Sequence, residues 1–430
     1  MQTRLADFIQ AQQQGQDAER ILRACVHCGF CTAVCPTYQL LGDERDSPRG
    51  RIYLIKQMLE GAPPTQITQT HLDRCLSCRS CESACPSGVE YAHLLEIGRK
   101  VAQEQVKRPW RERAKRALWL NLFARPALFG ALLRLGRPVR QILPAPLRAK
   151  LPPPFPNQGT WPEPPVAPVA RVLLFEPCVQ DALNPNLNAA TARMLARLGV
   201  QTLRLPQPQC CGALDLHGGR EAQAQARMQN MLQAALPLLQ ADADLLLLSN
   251  ASGCGLALSE FGRYFAHDAA LAAGAALFSA RVRDIAQILP QRIAASPWRA
   301  RLQACAKPHL AWHAPCSMQH GLRLGGLVEA CLRELGFSVH LPQDAHLCCG
   351  SAGSWSVLQP ALSIQLRERK LAALQHSQDP AVAPEYIVSA NIGCQGHLAA
   401  ASPLPVRHWV ELLDSLCSRL EADGTKEQGT

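Results

Sequence analysis

Two short cysteine runs near the start of the chain constrain its fold more than any other feature. Each run follows the pattern C-x2-C-x2-C-x3-C-P: Cys25, Cys28, Cys31, Cys35 and Pro36, then Cys75, Cys78, Cys81, Cys85 and Pro86. Three closely spaced thiolates can hold three corners of a cubane iron–sulfur cluster, and in proteins with two clusters the fourth cysteine ligates the other cluster. We therefore expect two [4Fe–4S] clusters, each with three ligands from one run and the fourth from the other. The expected ligands are Cys25, Cys28, Cys31 and Cys85 for the first cluster, and Cys75, Cys78, Cys81 and Cys35 for the second.

A pair of zinc sites is the alternative interpretation, since C-x2-C pairs also bind zinc. Zinc gives no reason for two identical runs of four cysteines, each closed by proline. The doubled pattern therefore favours iron–sulfur clusters, and with them a function in electron transfer.

The length and the cysteine content set broad limits. A chain of 430 residues is long enough for two or three domains. It has 19 cysteines, and its polar start lacks the charged and then apolar pattern of a signal peptide. This combination predicts metal ligands in a reducing, cytoplasmic compartment rather than disulfides. The apolar stretches are shorter than the ~20 residues that a membrane-spanning helix needs.

The positive charge is concentrated in one segment. Residues 107–150 contain twelve Lys and Arg against one acid, Glu112, which accounts for the whole net charge of +10. Apolar residues such as Trp110, Trp119 and Phe123 alternate with these cations. We expect a basic amphipathic helical segment at 106–143 that packs or docks on a partner subunit. An anionic membrane surface is the second alternative, and nucleic acid is the least favoured partner.

The residues around the cysteine runs predict a helical domain at 1–105. Ser47 is a good N-cap before Pro48 in the first turn of a helix, and Gly61 ends that helical pattern. The long spacer between the runs suggests the all-helical ferredoxin arrangement of multi-subunit dehydrogenases. Arg49 and Arg51 either face a cluster or a partner, or serve only the turn and the cap.

A proline-rich linker is predicted at 144–168, where ten of the residues are proline. The remainder of the chain is an internal duplication, with repeats at 169–300 and 301–420 and a polar tail at 421–430. Cys178 and Cys211 are 33 positions apart, as are Cys316 and Cys349. Strand-like and helix-like segments alternate in each repeat, which predicts an α/β fold with mainly parallel strands.

The repeated cysteines form a further candidate metal site. They are Cys178, Cys210, Cys211 and Cys254 in the first repeat, and Cys316, Cys348, Cys349 and Cys394 in the second. The single cysteines of each repeat follow predicted strands, whose carboxyl ends gather ligand groups in α/β sheets. Cys305, Cys331 and Cys417 have no counterparts and are expected to be structural.

These motifs resemble those of a known group of proteins. The CCG repeat after a paired-cluster domain resembles heterodisulfide reductases and the iron–sulfur subunits of membrane-linked dehydrogenases. Within that group the chain most resembles the iron–sulfur subunits of glycolate oxidase (glycolate dehydrogenase). The segments that carry this resemblance are 21–61 and 71–89, HLCCGSAGSW at 346–355 and ANIGCQGHLA at 390–399. One departure is that Ala251 and Asn391 stand where heterodisulfide-reductase domains have the first cysteine of a C-x2-C pair.

The resemblance implies an α+β multidomain chain: an all-helical ferredoxin-like domain with two [4Fe–4S] clusters, then a duplicated α/β cysteine-rich domain in which a further cluster is an open question. It implies partner subunits with FAD that oxidise glycolate to glyoxylate. This chain would pass their electrons to a quinone or another acceptor. No catalytic residue is expected on the chain itself, which lacks the G-x-G-x-x-G nucleotide fingerprint. The implied location is cytoplasmic, with peripheral attachment to the inner face of the plasma membrane as an option.

Two alternative functions remain open at this point. The same electron-transfer role could serve a lactate or glycerol-3-phosphate dehydrogenase, since residue chemistry alone does not choose the substrate. A thiol-disulfide reductase that uses the CCG cysteines is the second alternative, and the missing C-x2-C partners weigh against it.

Overall fold

The computed structural model describes residues 1–123, 125–136, 138–142, 153, 155, 160–207, 209–376 and 382–427. The chain divides into two compact units, each built from three separate segments. The first unit contains Met1–Asn121, Ala213–Ala224 and His346–Lys370, and the second contains Leu122–Gly212, Gln225–Ala345 and Leu371–Thr430.

Helices form the regular structure of the first 121 residues. Their bounds are Asp7–Gln10, Gln13–Ala24, Phe30–Ala33, Pro36–Leu41, Pro48–Leu59, Gln66–Asp73, Ser80–Ser83, Tyr91–Gln105 and Trp110–Phe123, with a 3-10 turn at Glu44–Asp46. The helices Pro48–Leu59 and Tyr91–Gln105 pack closely because Gly98 lacks a side chain. A Cβ at Gly98 would lie 2.6 Å from Ile55 Cγ1. Ile55 is fully buried in the core of this unit.

The helix Pro48–Leu59 begins as its sequence predicts. Ser47 has extended backbone dihedrals, and its side-chain oxygen accepts a hydrogen bond from Gly50 N at 2.9 Å. Pro48 occupies the first turn, where its missing N–H leaves no helix hydrogen bond unmade. Gly61, at φ 103°, follows the end of the helix. Cap and stop signals therefore fix the position of this helix between the two cysteine runs.

The second unit contains two parallel sheets of four strands among its described residues. The strands are β1 (Ala170–Leu174), β2 (Val200–Arg204), β3 (Leu246–Ser249), β4 (Val282–Asp284), β5 (Leu310–His313), β6 (Val339–His340), β7 (Tyr386–Ser389) and β8 (Val406–His408). Their order is β2-β1-β3-β4 in one sheet and β6-β5-β7-β8 in the other. Every pairing is parallel, which confirms the predicted α/β character of the repeats.

The remaining helices follow residue 121 along the chain. Their bounds are Pro126–Gly136, Gln180–Leu183, Asn186–Arg197, Ala213–His217, Glu221–Ala241, Ser252–Ser259, Phe261–Tyr264, Ala272–Arg281, Ile285–Ala294, Trp298–Ala304, Leu327–Glu334, Trp355–Leu358, Pro360–Gln375, Ile392–Ala399 and Trp409–Glu427. A 3-10 turn lies at Arg140–Ile142 and a π-helical turn at Ser317–Gly321. The last helix extends through most of the residues that the sequence assigned to a polar tail.

The two sheets share one hydrophobic core. β1 and β3 contribute Leu174 and Leu248, while β5 and β7 contribute Trp312 and Val388. Burial on both faces explains why the central strands are nearly continuous apolar runs. The duplication seen in the sequence is therefore two matched sheets packed around a common interior.

Two sequence predictions concern segments near the middle of the chain. Most of the proline-rich linker at 144–168 lies outside the described residues, and its described part, 160–168, contains neither helix nor strand.

Among the described residues, no single helix is long and apolar enough to cross a membrane. One bent helix pair, Trp110–Phe123 with Pro126–Gly136, meets that length and composition requirement when its members are taken together.

The shared core makes a direct prediction for stability. Leu174 on β1 is fully buried in this core, so Leu174→Ala should lower the free energy of unfolding by about 2–5 kcal/mol through lost burial and a residual cavity. Val169, just before the same strand, is 69% exposed, and Val169→Ala should change the free energy of unfolding by less than about 0.5 kcal/mol. Urea unfolding followed by circular dichroism measures both. Equal effects of the two substitutions would contradict the assigned core.

Candidate functional site

The two cysteine runs form loops with the same backbone geometry. In the first loop His27 and Gly29 have φ values of 60° and 90°, and in the second Ser77 and Arg79 have φ values of 55° and 60°. These residues occupy the second and fourth positions after the first cysteine of each run. Each loop then enters a four-residue helix. The repeated left-handed turns wrap the chain around a small space, as a loop that presents three thiols to one group requires.

The first cavity in this unit is lined by cysteines from both runs. Its cysteines are Cys25, Cys28, Cys31, Cys81 and Cys85. Gly29 permits close approach here, since a Cβ on it would lie 2.8 Å from Arg49 Nη1. The rim is open to solvent: Cys28 is exposed, and Val26 and Phe30 are 67% and 65% exposed.

The second cavity is lined by the complementary set of cysteines. These are Cys35, Cys75, Cys78 and Cys81. Cys35, Cys75 and Cys81 are buried, and Cys78 is half-buried. Cys81 and Tyr91 line both cavities. The structure thus gathers the eight predicted cysteines around two neighbouring cavities, and Cys35 and Cys85 each lie at the cavity of the opposite run.

The thiols in these cavities ionise with difficulty unless a cation lies near them. Burial raises the pKa of Cys31 to about 11, and repulsion from Cys25 and Cys35 adds to the effect. Burial likewise raises the pKa of Cys81 well above its ordinary value, with Cys78 and Cys75 contributing repulsion. Thiolates are the metal-binding form of cysteine, and metal ions supply the positive charge that stabilises them. Five cysteines line the first cavity and four line the second, and four thiolates are the donor set that a [4Fe–4S] cluster uses.

Arginine side chains hold the second loop in place. Arg99, on the helix Tyr91–Gln105, donates to the carbonyl oxygens of Leu72 and Cys75 at 2.9 and 2.7 Å and to Ser77 Oγ at 3.2 Å. These bonds satisfy backbone groups that the loop geometry leaves without helix partners.

A buried polar network lies beside the second cavity. Arg51 donates from Nε to the carbonyl oxygen of His71 at 2.7 Å and from Nη2 to Thr37 Oγ1 at 3.1 Å. Asp46 accepts from Arg51 Nη2 at 3.3 Å and from Arg74 Nη1 at 2.9 Å. Thr37 Oγ1 also lies 3.3 Å from Cys35 Sγ. The network therefore connects a cysteine of the cavity to a buried ion pair.

Sequence reasoning identified the cysteines but did not assign this network. The sequence left two roles open for Arg51: it either serves the turn and the cap or faces a cluster or a partner. A signal was nevertheless available, because Arg51 falls at the buried spacing set by Pro48, Ile52, Ile55 and Leu59. A charged residue at such a position must find partners inside the protein.

The four cysteines of the first repeat come together within the second unit. Cys210 Sγ lies 3.7 Å from Cys178 Sγ, and Cys211 interacts through its side chain with Cys210 and Cys254. Hydrogen bonds from Cys178 and Cys211 lower the pKa of Cys210, while the pKa values of Cys178 and Cys211 are raised. The four cysteines therefore present a set of soft sulfur donors of the type that soft metals prefer.

The cysteines of the second repeat belong to both units. Cys316 and Cys394 lie in the second unit, whereas Cys348 and Cys349 lie in the first and are buried there. Cys348 Sγ accepts a hydrogen bond from Gly350 N at 3.4 Å.

Asn391 and Ala251 show what replaces the missing cysteines. Asn391 Nδ2 donates to Cys394 Sγ at 3.5 Å, and Asn391 Oδ1 accepts from Gly253 N at 3.3 Å, near the start of the helix Ser252–Ser259. Ala251 is fully buried at the matching position of the first repeat. Asn391 thus links the two repeats by hydrogen bonds, whereas the methyl group of Ala251 fills the matching position.

The remaining three cysteines pack in the interior of the second unit. Cys331 and Cys417 belong to its hydrophobic core, and Cys305 packs against it. Burial raises the pKa values of Cys331 and Cys417 to about 12. These positions agree with the structural role expected from the sequence.

Comparison with protein families matches the same regions. A family profile described as a 4Fe-4S dicluster domain matches residues 21–89, and one described as a cysteine-rich domain matches residues 172–259 and 310–399.

The chain is also similar to curated proteins over most of its length. It is 46% identical over 96% of its length, and 98% of the relative, to the glycolate oxidase iron-sulfur subunit of Escherichia coli (strain K12). It is 30% identical to the probable glycolate oxidase iron-sulfur subunit of Bacillus subtilis (strain 168), with 86% of each chain covered. Lactate utilization protein A of Geobacillus kaustophilus (strain HTA426) is 28% identical over 57% of this chain and 99% of the relative.

Proposed function

Since the chain belongs to the family of glycolate oxidase iron–sulfur subunits, we propose that it is the electron-transfer subunit of a glycolate-oxidising complex. Partner subunits that carry FAD oxidise glycolate to glyoxylate, and this chain passes the electrons to a quinone or another acceptor. The observation that carries this proposal is the gathering of eight thiols around two adjacent cavities in one helical unit.

Each cavity takes one [4Fe–4S] cluster in this proposal, within a helical ferredoxin-like domain. The ligands are Cys25, Cys28, Cys31 and Cys85 at the first cavity, and Cys75, Cys78, Cys81 and Cys35 at the second. Cys81 lines both cavities, and its place in the second loop assigns it to the second cluster. Bound clusters supply one-electron transfer. The protein contributes the thiolate ligands, the buried surroundings and the arginine contacts that hold the loops.

The first cysteine-rich repeat provides a further iron–sulfur site in this proposal. The convergence of Cys178, Cys210, Cys211 and Cys254 supports such a site in the first repeat. The corresponding set in the second repeat is Cys316, Cys348, Cys349 and Cys394.

Lactate is the second candidate substrate for the complex. The observation in its favour is the similarity to lactate utilization protein A, which extends over little more than half of this chain. The glycolate assignment has the stronger support, because the similarity to the glycolate oxidase subunits is higher and covers most of both chains.

The basic segment supports docking to a partner subunit at the inner face of the membrane. Arg108 and Arg116 are engaged within their own unit, where both form ion pairs with Asp73 and Glu112. Arg111, Arg113 and Lys115 are exposed on the same helix. These three cations are among the exposed charges of the segment that a partner can contact.

Replacement of Cys85 tests the crossed ligand assignment. Cys85→Ser should remove the first cluster, so about four of the eight iron atoms of the two clusters are lost. Its paramagnetic resonance spectrum should match that of Cys28→Ser and differ from that of Cys78→Ser. Cys305→Ser, outside both cavities, should retain all the iron. A Cys85→Ser spectrum that matches Cys78→Ser would overturn the crossed assignment.

The division of labour between subunits can be tested by reconstitution. The purified chain, loaded with iron and free of flavin, should not oxidise glycolate, because clusters of this type carry single electrons and do not abstract hydride. The complex with its flavin subunits should reduce an artificial acceptor when glycolate is added. Glycolate turnover by the flavin-free chain would contradict the proposal.

Charge reversal tests the docking role of the basic segment. A variant with Arg111→Glu, Arg113→Glu and Lys115→Glu should lose association with the partner subunits at physiological salt. Within the screening length of about 8 Å, the reversed charges repel the surface that the cations attract. Its iron content should stay the same. The matched control reverses three exposed arginines elsewhere, Arg299, Arg333 and Arg419, and should still associate. Co-purification and vesicle sedimentation separate loss of the partner from loss of the membrane, and equal association of both variants would refute this role.

A further inference from the structure

Arg51 is a fully buried cation in the wall of the second cavity. Its side chain has 0% exposure, and it lines the cavity together with Cys35 and Cys75. Its Nε and Nη2 atoms donate to protein acceptors, as described above. Its Nη1 atom is also buried and has no hydrogen-bond partner among the described residues. An unpaired buried donor on a charged group is costly, so this position calls for an acceptor inside the cavity.

The charges around Arg51 do not balance. Asp46 is the buried carboxylate of the network, and it faces two guanidinium groups, those of Arg51 and Arg74. No carboxylate belongs to the described lining of either cavity. Two guanidinium groups against the one Asp46 carboxylate leave a surplus of positive charge beside the second cavity.

The first cavity has a different electrostatic environment. Its lining arginine, Arg49, is paired with Glu44 at 2.7 Å, and 32% of its side chain is exposed. Cys28 at this cavity is exposed as well. Solvent and the Glu44 carboxylate therefore weaken the field of the Arg49 cation there.

We propose that Arg51 tunes the second cluster to a higher reduction potential than the first, through a buried positive charge and a free N–H group at the cavity wall. The inference rests on the proposed assignment of cluster ligands. Reduction adds one electron to a cluster, and a fixed cation in a low-dielectric interior stabilises the added negative charge. Hydrogen bonds to cluster sulfur atoms act in the same direction. Electrons that enter the domain therefore collect on the second cluster.

Potentiometric titration of the full chain, followed by paramagnetic resonance, tests the proposal with two substitutions of opposite sign. Arg51→Met removes the cation and should move one of the two midpoints to lower potential. The expected shift is at least a tenfold change in the ratio of reduced to oxidised cluster, which equals 59 mV for one electron. Asp46→Asn removes the opposing carboxylate and should move the same midpoint to higher potential. The other midpoint should stay in place in both variants.

Arg45→Met is the matched control. Arg45 lies in the same segment, and it is exposed and paired with Asp43, so its removal should shift neither midpoint. An iron-replete Arg51→Met chain with unchanged midpoints would overturn the proposal.

If the Arg51→Met chain loses iron, the Asp46→Asn variant alone tests the proposal. An Asp46→Asn chain whose midpoint potential does not rise would then overturn it. A wild-type chain that holds only one cluster in this unit would instead contradict the ligand assignment. The two failures are therefore distinguishable by iron content.

Discussion

The crowding of buried thiols is the constraint on which the first unit depends. Eight cysteines surround two small cavities, and as thiolates they repel one another unless cations lie between them. The helices here are short, and several are single turns between the loops. Much of the order of this unit must therefore come from the sulfur-lined centres and from arginines such as Arg99, which bonds the carbonyl oxygens of the second loop. Folding and cluster binding are coupled in such a domain.

The two cavities differ in ways that suit them to different steps of electron transfer. The first has an open rim with Cys28, Val26 and Phe30 exposed, so an external redox partner can approach it closely. The second has three buried cysteines in its wall and is bordered by the buried Arg51–Asp46 pair. Tyr91 lines both, which indicates how near the two cavities lie to each other. An arrangement of this type separates exchange with a partner from storage of the electron.

Much of this organisation could be predicted from the sequence because it depends on local patterns. Cysteine spacing indicated the two centres, Ser47 and Pro48 marked a helix start, and the alternation of strand-like and helix-like segments indicated mainly parallel strands. The composition of the units could not be predicted. Ala213–Ala224, which follows the first CCG pair, and His346–Lys370, which contains the second, belong to the first unit, and such long-range packing leaves no local signal. The charge of Arg51 obscured its inward position, since arginine usually indicates a surface.

The replacement of cysteine at Ala251 and Asn391 leaves four repeated cysteines in each repeat. A repeat with a C-x2-C pair would have five thiols, and here each has four: one single, an adjacent pair and another single. Four thiols are the number that an ordinary [4Fe–4S] cluster needs. In the first repeat the four lie together, with Cys178 and Cys210 3.7 Å apart. The Ala251 methyl group fills its position and offers no ligand, while the Asn391 amide donates to Cys394 Sγ. The substitutions therefore favour a centre of ordinary size over the larger one that extra thiols would serve, and they favour electron transfer over disulfide reduction in this half of the chain.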